Sequence, residues 1–168
     1  PPGPPLTRRD RSIPVSVPAT RMTMQDRVPE ARIYKVWLGP EWISDDSTYL
    51  QLADYVLTSG KTSRLYQRRV YKDQIGTDAG AFALNNEIAG AYIVYATAGP
   101  GQDLGKVEKA LDEELARFLA QGPTRAELDR AKTEIRAGFT RGVEQVGGFR
   151  GKSSILAENA VYGGRPDF

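Results

Sequence analysis

Cysteine and histidine are both absent from the 168 residues of this chain. Without cysteine there are no disulfides, no thiolate nucleophile, no Cys-ligated zinc and no iron–sulfur cluster. Without histidine the commonest general base and the commonest metal ligand are gone. No apolar run approaches the ~18 residues that a membrane-spanning helix needs, and no charged start leads into an apolar stretch of the secretory kind. Charge of one sign is not in excess either: 23 Lys+Arg against 21 Asp+Glu leave a net charge of +2, which gives no basic face for nucleic acid.

What is present fits a soluble globular domain, with 40% hydrophobic and 26% charged residues. Eight of the eleven prolines fall within residues 1–40. Pro1, Pro2, Pro4, Pro5, Pro14 and Pro18, with Arg8, Arg9 and Arg11, read as a stiff, extended linker over residues 1–20 or as an inert tail. The domain is expected over 21–168. The chain opens at Pro1 without a Met, as a piece excised from a longer polypeptide would, and the text stops at Phe168 without a closing element, so the fold is expected to be incomplete there.

Residues 31–38 (ARIYKVWL) are β-branched and aromatic, bounded by Pro29 and Pro40, and predict a strand paired with 21–28. Ser44, Asp45 and Ser47 offer caps to a helix with Tyr49, Leu52, Ala53, Val56 and Leu57 on its apolar face, closed by Gly60. A second helix is expected from 63 to 72. Residues 77–84 and 91–98 read as a β-hairpin around Asn85, Asn86 and Glu87. Asp103 caps an amphipathic helix carrying Leu104, Val107, Leu111, Leu115 and Phe118, ending at Gly122. Thr124 and Glu127 form a capping box for the next helix, with Leu128, Ala131, Ile135 and Phe139 inward. Helical spacing continues toward Tyr162, broken among the glycines between 138 and 151. The order is that of an α+β fold: a mixed, largely antiparallel sheet of about four strands with helices layered on one face.

Few residues suggest chemistry. Gly60-Lys61-Thr62 ends like a phosphate-binding loop, but Tyr55 stands where the first glycine belongs and a helix precedes it. Gly99, Gly101 and Gly105 follow a strand and open a helix, which suits an anion at the helix N-terminus or merely a tight β-to-α turn. A phosphate-, nucleotide- or protein-binding module using the Gly99–Gly105 turn is therefore the alternative reading. Arg64, Arg68, Arg69 and Lys72 crowd two and a half helical turns, able to grip peptide carboxylates or simply to face solvent. Asp112, Glu113 and Glu114 are consecutive and diverge around their helix. Nothing here makes the chain an enzyme on its own.

Four ordered segments nevertheless resemble the pitrilysin/insulinase-type (inverzincin) zinc metallopeptidases. They are Asp26-Arg27-Val28 leading to Gly39-Pro40; Leu52 to Gly60 running into Ser63-Arg64-Leu65-Tyr66; Gly99-Pro100-Gly101 with Gly122-Pro123-Thr124 and Glu127-Leu128; and Val146-Gly147-Gly148-Phe149 with Ala157-Glu158-Asn159. The resemblance implies one of two homologous α+β domains that enclose an unfolded peptide, the other bearing His-x-x-Glu-His and zinc. This chain looks like the non-catalytic domain, with no cofactor of its own and zinc expected in the partner domain, on the same chain or a separate subunit. Gln51, Asp54 and Tyr55 stand where the zinc motif would be, and Gln and Tyr are poor zinc ligands. Such domains often supply an Arg and a Tyr seven residues apart; here Val70 and Thr77 hold those positions, while Arg64 and Tyr71 have the spacing out of register. Arg64, Arg68, Arg69 and Thr77 are the candidate substrate-docking residues, and strand 77–84 offers an edge to which a peptide strand can add. A bacterial periplasmic or cell-envelope location and a possible homo-oligomer go with the resemblance.

Overall fold

The computed structural model describes Gly3 and residues 16–148 and 151–167, and of residues 69–71 the backbone alone. The prolines and arginines of the leader up to Val15, with Phe149 and Phe168, lie outside the described residues. Residues 16–20 are exposed and carry no regular secondary structure.

Strand β1 (Arg32–Gly39), helix α1 (Asp45–Thr58), a one-turn helix α2 (Arg64–Tyr66), the hairpin β2 (Gly76–Leu84) and β3 (Gly90–Ala98), and helices α3 (Leu104–Gln121), α4 (Arg125–Glu144) and α5 (Lys152–Tyr162) follow in order. The sheet is antiparallel with strand order β1-β3-β2. This is the expected α+β class, with three strands among the described residues and not four. Residues 21–28 form no strand. Arg21 instead reaches across to α3, where Nη1 and Nη2 donate to the two carboxylate oxygens of Glu108 at 2.9 and 2.7 Å.

The register shows why the helices gather on one face. Ile33 pairs with Ala96 and Ala96 with Ala79, and this set points into the core. Tyr34 pairs with Tyr95 and Tyr95 with Gly80, and this set points away from it. The core joins Leu57 of α1, Leu65 of α2, Val94, Ala96 and Ala98 of β3, and Val107 and Leu111 of α3. Strand alternation and helical spacing thus converge on one apolar layer. On the opposite face Tyr34 is 56% exposed and Val36 60%.

The capping residues behave as their chemistry requires. Ser44 Oγ accepts from the Ser47 amide, Asp103 Oδ1 accepts from the Gly105 amide, and Thr124 with Glu127 closes a complete capping box on α4. Gly122 has φ 66°, the left-handed conformation that lets the chain leave α3. Three expectations shift. The helix over 63–72 is α-helical only to Tyr66 and then π-helical over Gln67–Lys72. Helix α4 runs through Gly138 and Gly142 to Glu144, so the break falls at Gly147 and Gly148. Tyr49 and Phe139, placed inward by periodicity, are 64% and 63% exposed.

Candidate functional site

The Arg-rich turn is tied into the fold. Arg64 Nε and Nη2 donate to the two oxygens of Glu127 at 2.7 Å each, Nη2 also donates to the Gly122 carbonyl at 2.9 Å, and the guanidinium lies 5.3 Å from the Phe118 ring centre. A planar fork matched to a carboxylate is the strong form of this contact. Glu127 is held at a pKa of about 2 because the Arg64 hydrogen bonds stabilise its charge more than burial opposes it. Arg68 donates to Asp73 at 2.7 Å and to Glu113 at 2.5 Å. Thr77 sits at the irregularity in the β2–β3 register, and its hydroxyl donates to Glu30 Oε2 at 2.9 Å. The Arg69 side chain lies outside the described residues. Arg64 and Arg68 therefore spend their charge holding α2 and the π-helical turn against α3 and α4. Thr77 lies apart from them on the outer strand of the sheet.

The Gly99–Gly105 segment is a tight turn from β3 into α3, with Gly101 at φ 71°. The Asp103 carboxylate already accepts the Gly105 amide at 3.0 Å, so an acidic group of the chain itself occupies that helix N-terminus.

A different feature stands out. Strand β2 pairs with β3 on one side, and among the described residues no strand pairs with its other edge. Along that edge a groove of about 800 Å³ opens between β2 and α1. Its walls include Trp42, Gln51, Asp54 and Tyr55 on one side and Ala81, Phe82 and Ala83 on the other. Asparagine 85, where the hairpin turns, closes one end: Asn85 Nδ2 donates to Ser47 Oγ at 2.5 Å, while its buried Oδ1 has no partner.

Within this groove Asp54 is the unusual group. Burial of its side chain raises the pKa from 3.8 to about 6, although the Tyr92 hydroxyl and the Ala83 amide, both facing the carboxyl, pull the other way. Asp54 Oδ1 and Tyr92 Oη are both buried without a hydrogen bond of good geometry. Among the described residues no arginine or lysine lines the groove. Gln51, Asp54 and Tyr55 share it along one side of α1, but an amide, one carboxyl and a phenol do not fit zinc, which takes thiolate, imidazole and carboxylate donors in a tetrahedral set. Among the described residues no group of three or more His, Cys, Asp or Glu stands close enough to hold a metal. The periodicity of α1 had suggested only a core face, so the groove itself was missed. The signal for it was an aspartate three positions after Gln51 on an otherwise inward-facing stretch.

The sequence matches the family described as the peptidase M16 inactive domain over residues 1–135. The chain belongs to that family, the non-catalytic half of the pitrilysin/insulinase-type architecture. No curated protein matches it. Solved structures share its fold. A protease from Helicobacter pylori superposes with a TM-score of 0.65 at 21% identity, covering 70% of this chain and 29% of its own. A peptidase M16 inactive domain from Pseudomonas fluorescens does so with a TM-score of 0.60 at 20% identity, over 65% of this chain and 26% of its own. The inactive peptidase domain of a protein assigned as a zinc protease, from Bordetella parapertussis, gives 0.65 at 20% identity, over 85% and 76%. The chain thus spans under a third of the first two relatives and about three-quarters of the third.

Proposed function

We propose that this chain is the peptide-holding, non-catalytic half of a zinc-dependent peptidase, set opposite a homologous domain that carries the metal. The observation that carries the reading is the unpaired edge of β2 beside the α1 groove. An extended peptide laid there gains main-chain hydrogen bonds without regard to its sequence, which suits a chamber that must accept many unfolded segments. Membership of the inactive-domain family and the zinc-protease assignment of the Bordetella relative support a metal in the partner domain. Of the residues expected to dock substrate, Thr77 remains in the proposal because it lies on β2. The internal pairing of Arg64 and Arg68 favours a bracing role for those two. A bacterial periplasmic or cell-envelope site belongs to the same reading.

Photo-crosslinking tests it. Unfolded peptides carrying benzoylphenylalanine should label residues of α1 and β2 in this chain, and hydrolysis should appear only when the zinc-bearing domain is supplied. Labelling confined to α4 and α5 would refute the docking surface, and hydrolysis by the purified chain alone would refute the division of labour.

A further inference from the structure

The face of the sheet turned away from the helices is apolar in three successive rows. Across β1, β3 and β2 these rows are Tyr34–Tyr95–Gly80, Val36–Ile93–Phe82 and Leu38–Ala91–Leu84. Alternation along each strand sends them to the side opposite Ile33, Ala96 and Ala79, which pack into the core. Tyr34, Val36, Leu38, Phe82 and Leu84 are between 38% and 60% exposed there. Together they make an apolar patch on the order of 500 Å², at the upper end of what a monomer exposes, and patches of that size mark interaction surfaces. Charge enters in the next row, where Arg32 of β1 and Asp78 of β2 flank Thr97. Arg32 Nε donates to Thr97 Oγ1 at 2.8 Å, while Arg32 Nη2 stands 3.5 Å from Asp78 Oδ2, a loose pair that leaves both side chains partly exposed.

We propose that this face is an interface between two copies of the chain, packed sheet on sheet about a two-fold axis parallel to β3. The pattern is self-complementary about that axis, as an interface between identical subunits must be. Because β3 is the middle strand, the rotation lays β1 of each copy over β2 of the other and keeps every row opposite itself. Val36 then meets the second copy's Phe82, Leu38 its Leu84, and Tyr34 the corner at Gly80, against which the Tyr95 ring lies. At the end of the face Arg32 of each copy meets Asp78 of the other, so opposite charges come together and like charges do not. Aligned sheets pack about 10 Å apart with their strands rotated by about 30°, which over three strands keeps these neighbours within reach. The apolar rows carry no charge, which suits a second neutral face and not a charged ligand. With the Arg32–Asp78 row included, the face approaches the ~800 Å² that each partner contributes to a standard interface.

Sedimentation equilibrium and native mass spectrometry of the full 168-residue chain test the interface. At concentrations up to about 100 μM the chain should reach twice its 18.5 kDa. Val36→Lys, at an exposed position of β1, should weaken association at least about tenfold. Leu119→Lys, at an exposed apolar position of α3 off this face, should leave it unchanged. Arg32→Asp and Asp78→Arg should each be monomeric alone, because like charges then face one another across the axis. An equal mixture of the two should form a one-to-one heterodimer, with circular dichroism showing that every variant is folded. A chain that stays at 18.5 kDa over the whole range overturns the proposal. So does a dimer that survives Val36→Lys, which places the contact elsewhere. Charge variants that fail to pair with each other while the unaltered chain dimerises overturn the two-fold arrangement, and the proposed interface with it.

Discussion

Asp54, Glu127 and Glu108 give the molecule a pH response whose sign can be worked out residue by residue. Asp54 is raised from 3.8 to about 6 by burial, so the folded state holds its proton more tightly than the unfolded chain does. Its contribution therefore improves as pH falls from about 6 towards 4. Glu127 is lowered from 4.5 to about 2 by the Arg64 hydrogen bonds, and Glu108 to about 2 by those from Arg21 and then Lys35. Their stabilisation is present above 4.5 and is lost as pH falls towards 2. Urea unfolding across pH should thus show greatest stability between these windows, on the acid side of neutral. Asp54→Asn should flatten the upper limb and stabilise the protein at neutral pH by about 1 kcal/mol, after allowance for screening of a partly exposed group. A destabilised Asn variant at neutral pH would mean that the Tyr92 and Ala83 contacts outweigh burial. Arg64→Ala should cost about 2 kcal/mol, because it strips Glu127 Oε1 and the Gly122 carbonyl of their donor and leaves Glu127 Oε2 only its Thr124 contacts.

The elements whose signals were local were legible in the sequence. Asp103, Thr124 and Glu127 announce α3 and α4 through capping chemistry, and β1, β2 and β3 lie within a residue or so of the runs that predicted them. The misreadings have physical causes. Tyr49 and Phe139 sit at apolar spacing on α1 and α4, but no neighbouring element covers that part of either helix, and periodicity carries no information about what lies opposite. The segment 21–28 had strand composition, yet Arg21 is drawn to Glu108, a partner 87 residues away that no local pattern reveals. The π-helical turn likewise follows from tertiary demands: Leu65 is fully buried while Arg68 must meet both Asp73 and Glu113. Two glycines of the sheet are steric necessities that no local pattern marks. A Cβ at Gly90 would stand 2.4 Å from the Leu84 carbonyl oxygen, and one at Gly80 would stand 2.3 Å from the Tyr95 ring. Gly90→Ala, which meets backbone, should cost about 2 kcal/mol or more. Gly80→Ala should be milder, since the Tyr95 ring can swing. Thermal unfolding of the two variants checks the order, and a costlier Gly80 change would show that the Tyr95 ring is fixed.

At the scale of the whole molecule, the family was within reach of the sequence because separated segments keep its order, and the first three of the four lie within the match over residues 1–135. Of the docking surface proposed above, the edge strand was foreseen from the sequence, while the α1 wall beside it was not, because it takes the packed fold to set α1 against β2. The groove needs α1 and β2 side by side, a juxtaposition fixed only when Leu57, Leu65 and Val94 share one core. Weakening that core should loosen the groove with it: Leu57→Ala is expected to cost about 3 kcal/mol and to lower peptide affinity, whereas Leu119→Ala, at an 83% exposed position of α3, should change neither. The central claim is that an extended peptide adds to the free edge of β2. Backbone amide hydrogen exchange of this chain with and without a saturating unfolded peptide tests it most directly. The account predicts that slowed exchange on binding concentrates in residues 76–84 and the facing turns of α1, with α4 and α5 unchanged. Protection that appears on α4 or α5 while β2 exchanges as before would contradict it.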